Sequence, residues 1–232
     1  MPYLRREGDV FVLDLGEEGQ SDTENRFSPE FLAAMGECLD EVEASKGDAA
    51  LVTTGTGKFY SNGLDLNWLG ANADQGASYV GTIQALFSRI LTFPMVTVAA
   101  LQGHTFAGGA MLAVAHDSKV MRADRGFLCF PEVDIHIPFT VGMAALLQGR
   151  LSKATAHTSM TTGHRYGGSE AQAAGIVDET ADESEVLERA LARARALVGK
   201  RGDTLAAIKQ VMYAPAVAAL ADVSALTFGG NA

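Results

Sequence analysis

Residues 102–112 read QGHTFAGGAML, in which GHTFAGG at 103–109 is a glycine-rich loop held between two apolar runs. The run before it, 95–101 (MVTVAAL), is apolar without alternation, the pattern of a strand covered on both faces. The run after it, 110–116 (AMLAVAH), predicts a short apolar helix. Small residues at a helix start leave N–H groups unpaired at the positive end of the helix dipole. That arrangement suits an anion or a developing oxyanion. No Lys-Ser/Thr pair follows, so this is not a Walker loop, and the GxGxxG of a dinucleotide site is missing. GTGK at 55–58 also fails the phosphate-loop spacing. Tight strand–helix packing is the other reading of the same glycines.

Outward from this stretch, strands and helices alternate. Leu4, Val10 and Val12 alternate with polar residues around Gly8, which predicts an N-terminal hairpin. Ser28-Pro29-Glu30 offers an N-cap, a proline at the first helical position and an acid in the first turn. Phe31, Leu32, Met35, Leu39 and Val42 follow at helical spacing, with Gly47 as the stop. A buried strand is expected at 49–53 and a loop at 55–66. Ile83, Leu86, Phe87, Ile90 and Leu91 mark a second amphipathic helix, closed by Pro94. Strands at 119–121 and 127–130 precede helices at 139–148, 153–161, 170–174, 184–198 and 204–213. The alternation predicts an α/β core over 1–182, and the helical end, 183–232, a lid or assembly region. No internal repeat or low-complexity linker is visible. The Ala/Arg-rich stretch 188–200 reads as a solvated helix face.

Composition narrows the function. A chain of 232 residues is long enough for one domain with a real core. A net charge of −10 argues against a nucleic-acid binder, which needs a basic surface. Cys38 and Cys129 lack metal-type spacing and read as buried thiols in a reducing compartment. The N-terminus has no apolar core of a signal peptide, and 95–101 is too short to span a bilayer. The end, Gly230-Asn231-Ala232, is not an SKL-type address, so a cytosolic location without membrane contact is expected. The five histidines form no HExxH or paired-ligand spacing, so no metal is assigned. A GxSxG elbow is absent, which removes local support for a serine hydrolase.

Two further segments bear chemistry. KFYSNGLDL at 58–66 follows a buried strand, where a loop can present a backbone N–H and Gly63 permits close approach. A plain turn with Asp65 capping a short helix explains it as well. FPEVD at 130–134 places Glu132 after an apolar strand. In apolar surroundings its pKa rises, as a general base for a carbon acid requires. A surface glutamate at a strand end is the alternative.

Taken in order, these segments resemble the crotonase (enoyl-CoA hydratase/isomerase) superfamily. FYSNGLDL resembles F-x-A-G-x-D-L, QGHTFAGGAML resembles N-G-x-A-x-G-G-G-x-E-L, and FPEVDI resembles the Q-P-E segment. TGHRYGGSEAQAAGIVDE resembles T-G-x-x-x-x-A-x-E-A-x-x-x-G-L-V-D. The likeness covers roughly residues 3 to 182, the last two helices matching only in kind. It implies a spiral of ββα units with a helical C-terminal region, assembled as trimers or dimers of trimers. It carries the two oxyanion-hole N–H groups onto Asn62 and Gly108. Of the two hydratase glutamates, the first falls on Met111 and is absent, and the second is Glu132. That combination resembles the Δ3-Δ2-enoyl-CoA isomerases, the plant type above all.

The resemblance therefore implies an acyl-CoA thioester as partner, no cofactor beyond that CoA, and Glu132 as single acid/base. Ser61, Gly63, Leu66, Gly109, Met111 and His136 are expected to line the substrate site. The family usually has glycine where His136 stands, so a narrowed pocket and a preference for short or medium chains are expected. A hydratase or other crotonase activity, and an acyl-CoA binder without catalysis, are the alternatives.

Overall fold

One move is repeated along the chain: a strand joins a large sheet, the next joins a small one, and a helix returns. Tyr3–Glu7 (β1) and Val10–Asp14 (β2) form the expected hairpin, paired from Tyr3↔Asp14 to Glu7↔Val10. Pro29–Ala44 (α1) is capped as predicted, the Ser28 hydroxyl accepting from the Phe31 N–H at 3.2 Å. It ends on Ser45, two residues before Gly47. Ala50–Thr54 (β3) lies parallel to β2, and Phe59–Ser61 (β4) leaves for the small sheet. Asp65 then caps Leu66–Ala71 (α2), and Gly76–Leu91 (α3) closes this unit. The next unit is Val96–Leu101 (β5), His104–Phe106 (β6) and Gly108–Ala115 (α4). Ser118–Arg122 (β7), Leu128–Cys129 (β8) and Val141–Arg150 (α5) make the last. Lys153–Thr162 (α6), Gly168–Ala173 (α7), Glu179–Ala181 (β9), Val186–Arg195 (α8), Asp203–Met212 (α9) and Ala214–Ala221 (α10) follow.

The computed structural model describes residues 1–223, so Gly230-Asn231-Ala232 and the end of the 183–232 region lie outside them. The large sheet has the order β1-β2-β3-β5-β7-β9 and the small sheet β4-β6-β8. Among the described residues, every pairing between two of these strands except β1–β2 is parallel. Neighbouring strand residues point to opposite faces, and both faces here are covered. Leu13, Leu51, Ala99 and Met121 meet α1, α3 and α4, while Val12, Val52, Val98 and Val120 meet α8. That double burial is why 95–101 shows no alternation.

Several expectations need correction. The loops at 55–66 and 103–109 each contain a strand, β4 and β6. Three residues carry too little pattern to announce one. β9 and α10 likewise leave no clear pattern in the sequence. The repeat that the sequence does not show is present in space, because each unit packs the same way with different side chains. The division at 182 does not separate two layers: α8 buries Val186, Ala190, Leu191 and Ala194 on the large sheet. Its other face is solvated as expected, with Arg189 on Glu185 at 3.2 Å and Arg195 on Glu188 at 2.7 Å. Cys129 is buried, whereas Cys38 is only half-buried. Among the described residues no single helix is long and apolar enough to cross a membrane.

Candidate active site

The C-terminal ends of β4, β6 and β8 run side by side, so the segments after them meet. A cavity of about 290 Å³ opens there, lined by Leu64, Ala107, Met111 and Glu132 with Val80 of α3 and Met143 of α5. Glu132 sits in a 3₁₀ turn, Pro131–Val133, that ends the small sheet's last strand segment. It is 6% exposed, which removes the surface-glutamate reading. Its Oε2 has no hydrogen-bond partner among the described residues. Burial pushes its pKa up from 4.5 to about 7, opposed only by its own backbone N–H. A carboxylate shielded from bulk solvent is a stronger base than a free one and still ionises near neutrality.

The shift has a sign that can be measured. A folded pKa raised to about 7 over 4.5 means the native state favours the protonated carboxyl. Its contribution to stability is therefore full below pH 4.5 and is lost as pH rises through about 7. The loss amounts to roughly 3 kcal/mol at 1.36 kcal/mol per unit. Glu132→Gln is thus expected to raise Tm at pH 8 and to change it little at pH 4. A general base works only when ionised, so with Glu132 in that role kcat/KM is expected to rise with pH to a plateau, half-maximal near 7.

The glycine-rich loop is more than packing. Gly108 begins α4, and its N–H makes no hydrogen bond among the described residues. The expected partner donor, Asn62, is not available. The segment 24–27 runs beside 62–64, and the Asn62 N–H is spent on the Glu24 carbonyl at 2.9 Å. Its side chain still lines the cavity. Two residues on, the Leu64 N–H has no partner among the described residues, and Leu64 lines the same cavity. A Cβ placed on Gly108 would come within 2.8 Å of Leu64 Cδ1, and one on Gly63 within 2.8 Å of Gly108 N. Leu64 and Gly108 are therefore the adjacent pair of free donors.

Of the other expected lining residues, Leu66 and Met111 reach the cavity. Ser61, Gly63 and Gly109 support it from behind. The Ser61 hydroxyl donates to the Asn25 carbonyl at 2.7 Å and accepts from the Gly63 N–H at 3.1 Å. A Cβ on Gly109 would meet Ser61 O at 2.6 Å. His136 is a correction: it is exposed and does not line the cavity, which Ile135 and Ile137 reach instead. Its φ of +57° supplies the physical reason for a glycine at this place, since glycine alone adopts the left-handed region without cost. His136→Gly is therefore expected to leave the chain-length profile unchanged and to stabilise the fold by about 1 kcal/mol. A 3-enoyl-CoA series and thermal melts check both halves.

Arg26 and Arg165 at the cavity are additions that isolated arginines in a sequence do not signal. Arg26 pairs with Glu24 at 2.5 Å, and the Arg165 guanidinium lies 5.8 Å from the Phe106 ring centre. Cys129 also lines the cavity, but burial pushes its thiol up to about 11, so it stays protonated and inert.

A buried base beside two unpaired N–H groups, all at the ends of one small parallel sheet, is the arrangement of an enzyme that ionises a carbon acid and holds the resulting oxyanion. The chain belongs to the enoyl-CoA hydratase/isomerase family, whose model matches residues 19–228. It is 36% identical to enoyl-CoA delta isomerase 3 of Arabidopsis thaliana, over 97% of each chain. The identity to the same plant's peroxisomal enoyl-CoA delta isomerase 2 is 34%, over 92% of each. Among solved structures, an enoyl-CoA isomerase of Mycobacterium tuberculosis superposes with a TM-score of 0.85 at 26% identity, covering 94% of this chain and 93% of that one. The crotonase spiral expected from the motifs is thus the fold.

Proposed function

We propose that the chain is a Δ3-Δ2-enoyl-CoA isomerase with Glu132 as its one acid/base. The observation that carries this reading is that Glu132 is the only carboxyl on the cavity among the described residues, while Met111, onto which the resemblance carries the family's other glutamate, lines the same cavity. A 3-enoyl-CoA lies with its thioester oxygen on the N–H groups of Leu64 and Gly108. Ionised Glu132 takes a proton from C2, and the electron pair delocalises into the carbonyl and the C3–C4 double bond. The dienolate is held by the two donors, each contributing roughly 3 kcal/mol in the transition state. The same carboxyl returns the proton at C4, which leaves the double bond between C2 and C3. Hydration needs a second polar group to position water, and the apolar Met111 offers none.

The apolar lining suits an acyl chain, and Arg26 and Arg165 suit the phosphates of CoA. No cofactor beyond that CoA enters the cycle. On α9, Ile208, Val211 and Met212 stay 50%, 79% and 62% exposed, a patch suited to contact between copies in a trimer or hexamer. The test is an absorbance assay for conjugated thioester. A 3-enoyl-CoA gains the band, whereas a 2-enoyl-CoA keeps it. Loss of the band from a 2-enoyl-CoA would mean hydration, and no change with either substrate would mean binding alone.

A further inference from the structure

Three buried side chains outside the cavity form a hydrogen-bonded line between the two segments that carry the free N–H groups. Thr53, Tyr60 and His116 are each 0% exposed, and none lines the cavity. Tyr60 Oη lies 2.7 Å from Thr53 Oγ1, which lies 2.9 Å from His116 Nε2. His116 Nδ1 lies 2.8 Å from the Leu112 carbonyl. Every direction in this line is determined. A carbonyl only accepts, so Nδ1 carries the imidazole proton and Nε2 is a bare lone pair. Thr53 therefore donates to His116, and Tyr60 donates to Thr53. Burial lowers the His116 pKa to about 3, so the ring stays neutral and the order does not reverse at working pH.

The three belong to different parts of the fold. Thr53 is in β3, hydrogen-bonded between β2 and β5 in the rigid large sheet. Tyr60 is in β4, four residues before Leu64. His116 caps α4, and Leu112 is one turn from Gly108. All eight residues of α4 are buried and apolar. Apolar contact is non-directional, so burial alone does not define the rotation or axial position of such a helix. Directional bonds at its end do. Arg150 adds to them, its Nε donating to the Val114 carbonyl at 3.0 Å and its Nη2 to the His116 carbonyl at 2.5 Å.

We propose that Thr53, through Tyr60 and His116, is the positioning residue that sets the spacing of the Leu64 and Gly108 N–H groups. The proposal rests on the oxyanion reading above. One hydroxyl on the large sheet holds both the strand that delivers the first donor and the helix that starts with the second. Displacement of either donor by about 1 Å costs on the order of 10²-fold in rate.

The test uses the full chain, Thr53→Val, Thr53→Ser and Tyr60→Phe, and a medium-chain 2-enoyl-CoA as bound probe. The infrared carbonyl stretch of the bound thioester reports the strength of the two hydrogen bonds directly. In the wild type this stretch moves to lower wavenumber on binding. In Thr53→Val the shift shrinks and kcat falls about tenfold or more with KM nearly unchanged, a part of the 10²–10³ assigned to one donor. Thr53→Ser, which keeps the hydroxyl, restores most of both. Tyr60→Phe shows a smaller loss in the same direction and decides the matter if Thr53→Val does not fold. A full carbonyl shift in Thr53→Val or Tyr60→Phe overturns the proposal, whether kcat is retained or lost. If the wild type itself shows no shift, the oxyanion reading fails first, and that outcome is separate from the other.

Discussion

Glu132→Gln lowers kcat by roughly 10²–10⁴-fold while leaving the affinity for enoyl-CoA nearly unchanged, because a general base of this kind supplies that factor. The substitution is close to isosteric, and the Oε2 it replaces makes no hydrogen bond that could be lost. It keeps the shape of the cavity and removes only the group that can take and return a proton. Glu132 is the one carboxyl lining the cavity among the described residues, so no neighbour takes over its role. Single-turnover kinetics give the chemical step, and calorimetric titration with a non-reacting acyl-CoA gives the affinity. A variant that keeps more than about a tenth of the wild-type rate would show that the proton travels by another group. The residual activity is also expected to lose the pH step near 7 that belongs to this carboxyl.

Gly63→Ala is expected to lower kcat by about 10²-fold with a smaller effect on KM. Gly63 sits at φ +76°, where a side chain is strained by about 1–2 kcal/mol. The added methyl would also lie 2.8 Å from Gly108 N and 3.0 Å from the Phe106 carbonyl. Neither neighbour is the end of a flexible side chain, so backbone must give way. The backbone that moves is the start of α4, the segment that carries the Gly108 donor. The adjoining residue, Leu64, carries the other. Ground-state binding of the CoA and the acyl chain depends on surfaces elsewhere in the cavity, so KM moves less. The bound-thioester carbonyl shift should shrink in step with kcat. A folded Gly63→Ala protein with wild-type kcat would show that these two N–H groups do not hold the oxyanion.

In the proposed mechanism, Met111 is the residue that favours isomerisation over hydration. It is 1% exposed and faces the cavity from α4, where a carboxylate would serve to place water. A methionine there offers only an apolar surface to the reacting carbons. Proton removal and return by one carboxyl need no more.

Local pattern, together with the family resemblance that the ordered motifs carry, determined much of this protein. The uniform apolarity of 95–101, the Ser28-Pro29-Glu30 cap and the three ordered motifs identified the α/β spiral. They also single out Glu132 and Gly108 as candidates, because a carboxyl after an apolar strand and glycines at a helix start leave a mark in consecutive residues. Tertiary structure decided the rest. Asn62 and Leu64 are equally placed in the motif, and only the approach of Glu24, thirty-eight residues earlier, consumes one N–H and leaves the other. The family's usual glycine at position 136 suggests that His136 narrows the pocket, but its backbone is left-handed and its side chain is exposed. Thr53, Tyr60 and His116 carry no shared spacing, and their hydrogen bonds exist only once two sheets and a helix are packed together. A hydrogen bond is satisfied by whatever partner the fold brings near, so its identity is a property of the packed chain, whereas burial and turn preference belong to each residue and its neighbours.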